Sequence, residues 1–122
     1  YDKEFLIICS SLKDMLAFNK LKITNGECIA PDSENTLIPE AALNKITERY
    51  KDVCVVFDND EAGVRSMKRY QDKFNFKYVI LDLEKDISDA VKKYGIDKTR
   101  NTLFKLLKEQ LRPNERTIKN TN

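Results

Sequence analysis

The chain has 122 residues, of which 41% are hydrophobic and 34% are charged, and this suits one globular domain rather than two well-cored ones. It contains no histidine, which excludes Ser-His and Cys-His catalysis and most zinc sites. The formal net charge is +2, but residues 97–122 carry seven basic against three acidic residues, so residues 1–96 have a net charge of −2. This distribution fits metal binding by the body and phosphate binding by the C-terminal part, or simply a solvated helix face.

Three cysteines, Cys9, Cys28 and Cys54, lie far apart, each within or beside an apolar stretch. Because an odd number cannot all pair within the chain, we predict buried, reduced thiols and therefore an intracellular, cytoplasmic protein. No apolar run approaches the roughly 20 residues of a membrane span, so no membrane partner is expected. The chain starts at Tyr1 and enters an apolar stretch almost at once, as expected of a piece of a longer protein.

Taken in chain order, apolar runs predict a strand at residues 5–9, a short strand at 27–30 and a third strand at 53–57. The third run is the strongest, because its uninterrupted apolar residues are typical of parallel strands covered on both faces. Residues 78–81 supply a fourth strand. The chain therefore contains enough strands for one central sheet.

Helices are predicted between these strands, because residues that are apolar, apart from Asn19, recur there at helical spacing. The defining residues are Leu12, Met15, Leu16 and Asn19, capped by Ser10 or Ser11; Ala42, Leu43, Ile46 and Tyr50, in a helix that opens at Pro39; and Val64, Met67, Tyr70 and Phe74. An acidic loop at residues 82–89 follows the fourth strand. A short helix ending near Gly95 and a longer one at residues 97–111 complete the pattern.

This alternation predicts an α/β fold with a four-stranded, mainly parallel sheet flanked by helices, plus a C-terminal helix. We assign residues 1–112 to this domain and residues 113–122 to a polar tail or linker. In such sheets, ligands bind beyond the C-terminal ends of the strands. The polar residues at those ends are Ser10 and Asp14, Ser33 and Glu34, Asp58 and Asp60, and Asp82, Glu84 and Asp86. We expect them to share one acidic rim.

Asp58 and Asp60 directly follow the strongest strand and are the first candidates for a metal site. Two like charges a few ångströms apart repel each other unless a cation or a shared proton lies between them. Mg²⁺ binds such carboxylates while keeping room for phosphate oxygens. Alternatively, Asp60 caps the next helix and Asp58 faces solvent. Asp86 offers the same choice between the metal site and a helix cap.

The residues just described resemble a known family. Val55-Val56-Phe57-Asp58-Asn59-Asp60-Glu61-Ala62-Gly63 looks like the Asp-x-Asp-x-Ala-Gly segment of Toprim domains in bacterial and phage DnaG-type primases. Leu6 to Asp14 resembles the other Toprim motif, Glu-Gly-x-x-Asp after an apolar strand, and Lys85-Asp86-Ile87-Ser88 is similar to the Lys-Asp-Pro-Asp stretch. Gly63 permits the close approach of a loop or ligand, or simply helix packing.

The resemblance implies a Toprim (Rossmann-like) core, Mg²⁺ or Mn²⁺ as cofactor, and synthesis of RNA primers from ribonucleotides on single-stranded DNA. A phage or mobile-element primase, with a replicative helicase as a further partner, is the closest variety. Metal ligands would be Asp58, Asp60 and Asp86, with Asp58 and Asp60 also catalytic. Lys13, Lys105 and Lys108 would contact nucleic-acid phosphates.

One position departs from the family. Ser10 occupies the place of the family glutamate, and a serine hydroxyl cannot act as a base near neutral pH without an activating partner. Glu34 is the candidate catalytic residue that replaces this carboxylate from the neighbouring loop. The alternatives are a non-catalytic Toprim module that binds nucleic acid, a Toprim nuclease or topoisomerase fragment, and a phosphatase of the haloacid dehalogenase type, in which the Asp-x-Asp motif normally begins the domain.

Overall fold

The computed structural model describes residues 3–31 and 38–111. Within these ranges the strands are β1 (Lys3–Cys9), β2 (Gly26–Ile29), β3 (Tyr50–Val56) and β4 (Lys77–Tyr78). The helices are α1 (Leu12–Leu21), α2 (Glu40–Thr47), α3 (Glu61–Phe74) and α4 (Ile87–Leu111). The predicted tail at residues 113–122 lies outside the described residues. No described helix is long and apolar enough to cross a membrane.

The four strands form one parallel sheet in the order β2-β1-β3-β4. The register places Ile7 beside Cys28 of β2 on one side and beside Cys54 of β3 on the other. The predicted α/β class is therefore confirmed, and the sheet is parallel throughout. Because every strand runs the same way, their C-terminal ends meet at one edge.

The core has a layer on each face of this sheet. Phe5, Ile7 and Cys9 pack with buried residues of α1 and α4. Leu6 and Ile8 point the other way and pack with residues of α2 and α3. Alternation along a strand sends successive side chains to opposite faces, which explains why the apolar run of β1 is continuous. All three cysteines are buried and free, as predicted.

The first helix forms where it was predicted, but with a different buried face. Leu12 and Leu16 are 62% and 53% exposed, whereas the helix is buried through Asp14, Ala17, Phe18 and Leu21. Both sets have helical spacing, so periodicity alone cannot choose between them. The choice follows from packing, because α4 lies against the second set.

Two further details differ from the sequence prediction. Tyr50 begins β3 rather than ending a helix face, and its hydroxyl donates to Glu27 Oε2 at 3.0 Å. The fourth strand is only two residues long, although Val79 N still donates to Val55 O at 3.0 Å. The predicted short helix ending near Gly95 and the longer helix after it are both present, because Gly95 interrupts α4 with φ 87°.

Candidate metal centre

Three carboxylates meet at the C-terminal edge of the sheet. Asp14, Asp58 and Asp86 each place an oxygen within 4.8 Å of the other two. Asp14 lies in the first turn of α1, Asp58 follows β3, and Asp86 directly precedes α4. Three separate segments therefore contribute to one acidic cluster, which we call the carboxylate cluster.

Local sequence fixes the position of Asp14 on α1. Ser11 is the N-cap of the helix, and its hydroxyl accepts a hydrogen bond from the Asp14 backbone N–H at 3.2 Å. The Asp14 carboxylate in turn accepts from the backbone N–H of Ser88 at 3.0 Å. With 1% exposure, Asp14 is a buried carboxylate that joins the start of α1 to the start of α4.

Ser10 lies between two members of the cluster. Its Oγ is 2.7 Å from Asp58 Oδ1 and 2.9 Å from Asp14 Oδ2, within donating distance of either. A hydroxyl carries a single proton, so it cannot satisfy both carboxylates at once. The second carboxylate is then left facing an oxygen without a proton, an arrangement that a cation or a shared proton relieves. Ser10 therefore places one neutral donor between Asp14 and Asp58, available to either, and adds no fourth charge.

Asp86 belongs to the cluster and also caps α4. Its Oδ1 accepts from the backbone N–H of Asp89 at 2.8 Å, and its Oδ2 lies 3.8 Å from Lys13 Nζ. The loop that carries it is tied to the loop after β3, because Asn59 N donates to Lys85 O. Asp86 can therefore cap α4 with Oδ1 and still belong to the group of carboxylates that could hold a metal.

Asp60 is placed differently from Asp58. Its Oδ1 accepts from the backbone N–H of Gly63 at 2.7 Å, which caps α3, and its Oδ2 lies 3.6 Å from Lys85 Nζ. Among the described residues, the group of converging carboxylates does not include it. Helix capping by Asp60 is thus observed, while its role as a metal ligand stays a prediction.

The crowding of these acids changes their acidity. Burial raises the pKa of Asp14 above its usual 3.8, and repulsion from Asp86 adds to this, against the opposing hydrogen bond from Ser88. Burial also raises the pKa of Asp58, opposed by the Ser10 hydrogen bond and reinforced by Asp86 and Asp60. Both acids are therefore easier to protonate than a solvated aspartate. A bound cation would reverse this effect by favouring the ionised forms.

The donor set fits a hard divalent cation. Mg²⁺ and Mn²⁺ prefer oxygen ligands, and Mg²⁺ commonly uses one or two carboxylates with water or phosphate oxygens in the remaining positions. The cluster offers three carboxylates on rigid element ends. Asp14 and Asp86 are buried and Asp58 is half-buried, so one side remains open to a ligand.

The predicted nucleic-acid lysines are exposed but are not all at this edge. Lys13 is next to Asp86, as described. Lys105 and Lys108 lie on the part of α4 beyond Gly95, where Lys108 Nζ is 5.0 Å from the ring centre of Phe104. Their role in binding phosphate stays a prediction. Glu34 lies outside the described residues.

Sequence analysis did not count Asp14 among the metal ligands. The available signal was the match of Asp14 to the aspartate of the Glu-Gly-x-x-Asp motif and its place at a strand end. A residue inside a helix is not fixed by strand alternation, because its direction depends on how the helix packs. The structure shows that α1 turns Asp14 toward the cluster.

Comparison with known proteins assigns the chain to a family. Residues 7–91 match the model of the Toprim-like family. The chain belongs to the Toprim-like family. The match spans β1 through the start of α4 and so contains all three carboxylates of the cluster.

Known relatives of this Toprim domain include primases. It is 30% identical over 106 residues to the DNA primase of Campylobacter jejuni, covering 83% of this chain and 17% of that protein. The chain therefore spans about a sixth of this curated relative's length.

Solved structures share the fold. The Aquifex aeolicus primase (zinc-binding and RNA polymerase domains) has a TM-score of 0.64 at 20% identity, covering 83% of this chain and 25% of that one. A bacteriophage T7 complex of the lagging-strand DNA polymerase with primase domains, bound to an RNA/DNA hybrid and dTTP, contains a chain with a TM-score of 0.62 at 14% identity, covering 85% and 56%. The small Toprim domain protein of Bacillus stearothermophilus scores 0.55 at 18% identity, covering 81% and 84%.

Proposed function

We propose that this Toprim domain binds Mg²⁺ or Mn²⁺ as part of a DNA primase that makes RNA primers from ribonucleotides on single-stranded DNA. The observation that carries the proposal is the convergence of Asp14, Asp58 and Asp86 within 4.8 Å. The C. jejuni relative, which is a DNA primase, supports the choice of reaction. Asp60 and Glu34 are retained as further candidates for the site.

Each residue of the cluster has a distinct part in this proposal. Asp58 after β3 and Asp86 in the loop before α4 would hold the metal, and the buried Asp14 would support it. When bound, the metal would supply positive charge for the triphosphate of an incoming nucleotide. Ser10 positions Asp14 and Asp58 by hydrogen bonding and supplies no general base.

The partners and setting follow from the same comparison. Single-stranded template, ribonucleotides and a replicative helicase are proposed as partners, in a phage or mobile-element primase acting in the cytoplasm. The T7 primase domains, in a complex described as bound to an RNA/DNA hybrid and dTTP, share this fold. The buried, free cysteines support a reducing compartment.

Metal binding can be tested with the chain alone. We expect the chain to bind Mn²⁺, and Asp58→Asn to weaken that binding by at least about tenfold, because one carboxylate of the cluster loses its charge. Isothermal calorimetry with Mn²⁺ and paramagnetic broadening of amide signals would measure the effect. Asp72→Asn, an exposed aspartate near the end of α3, is the matched control. Equal affinity in both variants would contradict the proposal.

Contact between α4 and the nucleic-acid backbone has its own test. Replacing Lys105 and Lys108 with alanine should flatten the dependence of single-stranded DNA binding on salt concentration. Each lost phosphate contact removes about 0.7 from the slope of log K against log salt. Lys45→Ala/Lys68→Ala changes two exposed lysines on α2 and α3 and should leave the slope unchanged. A slope unaffected by the α4 substitutions would rule out this contact.

Ser10 favours one second candidate function, a Toprim module that binds metal or nucleic acid without catalysis. The hydroxyl sits where the family has glutamate, and its hydrogen bonds to Asp14 and Asp58 do not replace a base. Primer synthesis by the full-length protein with Mn²⁺ separates the two functions. If the protein binds Mn²⁺ but synthesises no primers, the domain is the non-catalytic module.

A further inference from the structure

Lys13 is held by one of the carboxylates that the proposed metal would use. Its Nζ lies 3.8 Å from Asp86 Oδ2, and the two side chains are 58% and 10% exposed, respectively. The contact is long and joins a half-exposed, flexible lysine to a buried acid. Such pairs are weak, and the ammonium can leave for water at little cost.

A cation in the cluster competes directly with this pair. Asp86 is shared between Lys13 and the carboxylate cluster. A divalent ion carries twice the charge of an ammonium and would also repel Lys13 at this range. Metal binding therefore removes the counter-ion of Lys13 and leaves a positive side chain beside a bound metal.

We propose that Lys13 is a polyphosphate-binding residue that Asp86 retains in the metal-free protein and that metal binding releases. The proposal rests on the proposed metal site and names what that site would bind next, the polyphosphate chain of a nucleoside triphosphate. An anion that contacts both the metal and Lys13 would neutralise the positive charge of the metal and that of the Lys13 ammonium. Lysine suits this role because its ammonium is a compact charge on a long, mobile stem.

A second lysine at the same edge provides a comparison. Lys85 Nζ lies 3.6 Å from Asp60 Oδ2, and its side chain is also 58% exposed. Its partner Asp60 is not in the group of converging carboxylates among the described residues. A metal on the carboxylate cluster therefore competes with Lys13 for Asp86, and it competes with Lys85 for a ligand only if Asp60 also joins the site. Comparing variants of Lys13 and Lys85 therefore distinguishes competition for Asp86 from the general effect of removing one positive charge.

The first measurement is metal affinity without phosphate. Lys13→Met should bind Mn²⁺ about two- to fivefold more tightly than the parent, because a weak competing ion pair has been removed. Lys85→Met should gain less, and Lys20→Met, an exposed lysine in the last turn of α1, should gain nothing. No gain in Lys13→Met, or a gain in Lys20→Met equal to that in Lys13→Met, overturns the competition.

The second measurement is binding of inorganic tripolyphosphate with Mg²⁺ in excess, so that chelation is the same for every variant. Lys13→Met should bind it about tenfold more weakly than the parent, since a charge-assisted contact is lost, while Lys20→Met should match the parent. Unchanged tripolyphosphate affinity overturns the proposal. The proposal is also overturned if Lys13→Met weakens the binding of single-stranded oligodeoxythymidine but not that of tripolyphosphate, because Lys13 would then contact the DNA strand. If the parent binds no Mn²⁺ at all, the proposed function itself fails.

Discussion

Gly63→Ala is expected to lower the free energy of unfolding by about 3 kcal/mol, as overpacking of a tight site does. Gly63 is buried in the first turn of α3, and a Cβ there would overlap the backbone carbonyl of Asp58. Backbone atoms cannot swing aside like a flexible side chain, so the strand end or the helix must move. At an ordinary helix position the same change would instead stabilise by about 1 kcal/mol.

Urea denaturation would measure the loss of stability, and Mn²⁺ affinity should fall with it, because Asp58 is the residue displaced. Gly95→Ala provides the control. Gly95 lies in the kink of α4 and has φ 87°, which strains an alanine at that position. Among the described residues, no atom beyond its chain neighbours lies near its Cβ position, so the alanine would not displace a neighbouring residue. This control should lose stability and keep its metal affinity. Full stability in Gly63→Ala would show that the contact between Gly63 and Asp58 is not tight.

Asp14→Asn is expected to have opposite effects on metal binding and on stability. Metal affinity should fall at least about tenfold, because one charged ligand becomes neutral. The metal-free protein should become more stable at neutral pH by about 1 kcal/mol, as is common when a strained functional residue is replaced. Asparagine keeps the acceptor for the Ser88 N–H, and its amide can donate to the hydroxyls of Ser10 and Ser11.

The pH dependence of this gain has a definite sign. Because the pKa of Asp14 is raised in the folded state, its contribution to stability is complete below its usual 3.8 and is lost as the pH rises through the folded value. The advantage of Asp14→Asn over the parent should therefore grow with pH across that window and persist at neutral pH. Chemical denaturation at several pH values without metal would measure it. A constant difference between the two proteins would contradict the raised pKa.

Much of the fold could be predicted because it depends on local patterns. The continuous apolar runs of β1 and β3 need cover on both faces, and helices alternate with them, so a parallel sheet follows. The same argument placed Asp58 and Asp86 at one edge of that sheet, where the structure brings them together. The short β4 was overestimated because Val79 and Leu81 are buried without extending the strand.

The remainder of the site depends on contacts between distant segments. Ser10 meets Asp58 across 48 residues of sequence, and Ser88 meets Asp14 across 74. Spacing along the chain carries no information about such contacts, because the first needs β1 and β3 to pair as neighbours and the second needs α1 and α4 to pack together. The exposed Leu12 and Leu16 show the same limit, since two apolar stripes on α1 were equally helical.

The sequence by itself determined the family, the sheet and the acid pair that ends β3, because a buried strand followed by Asp-x-Asp and a close glycine is a local pattern. Only the tertiary structure decided which acids converge. Packing turned Asp14 inward and placed the Ser10 hydroxyl between two carboxylates, whereas the direction of Asp60 is set locally by its cap on α3. The direction of a carboxylate depends on where neighbouring elements dock and on which backbone N–H groups they present to it.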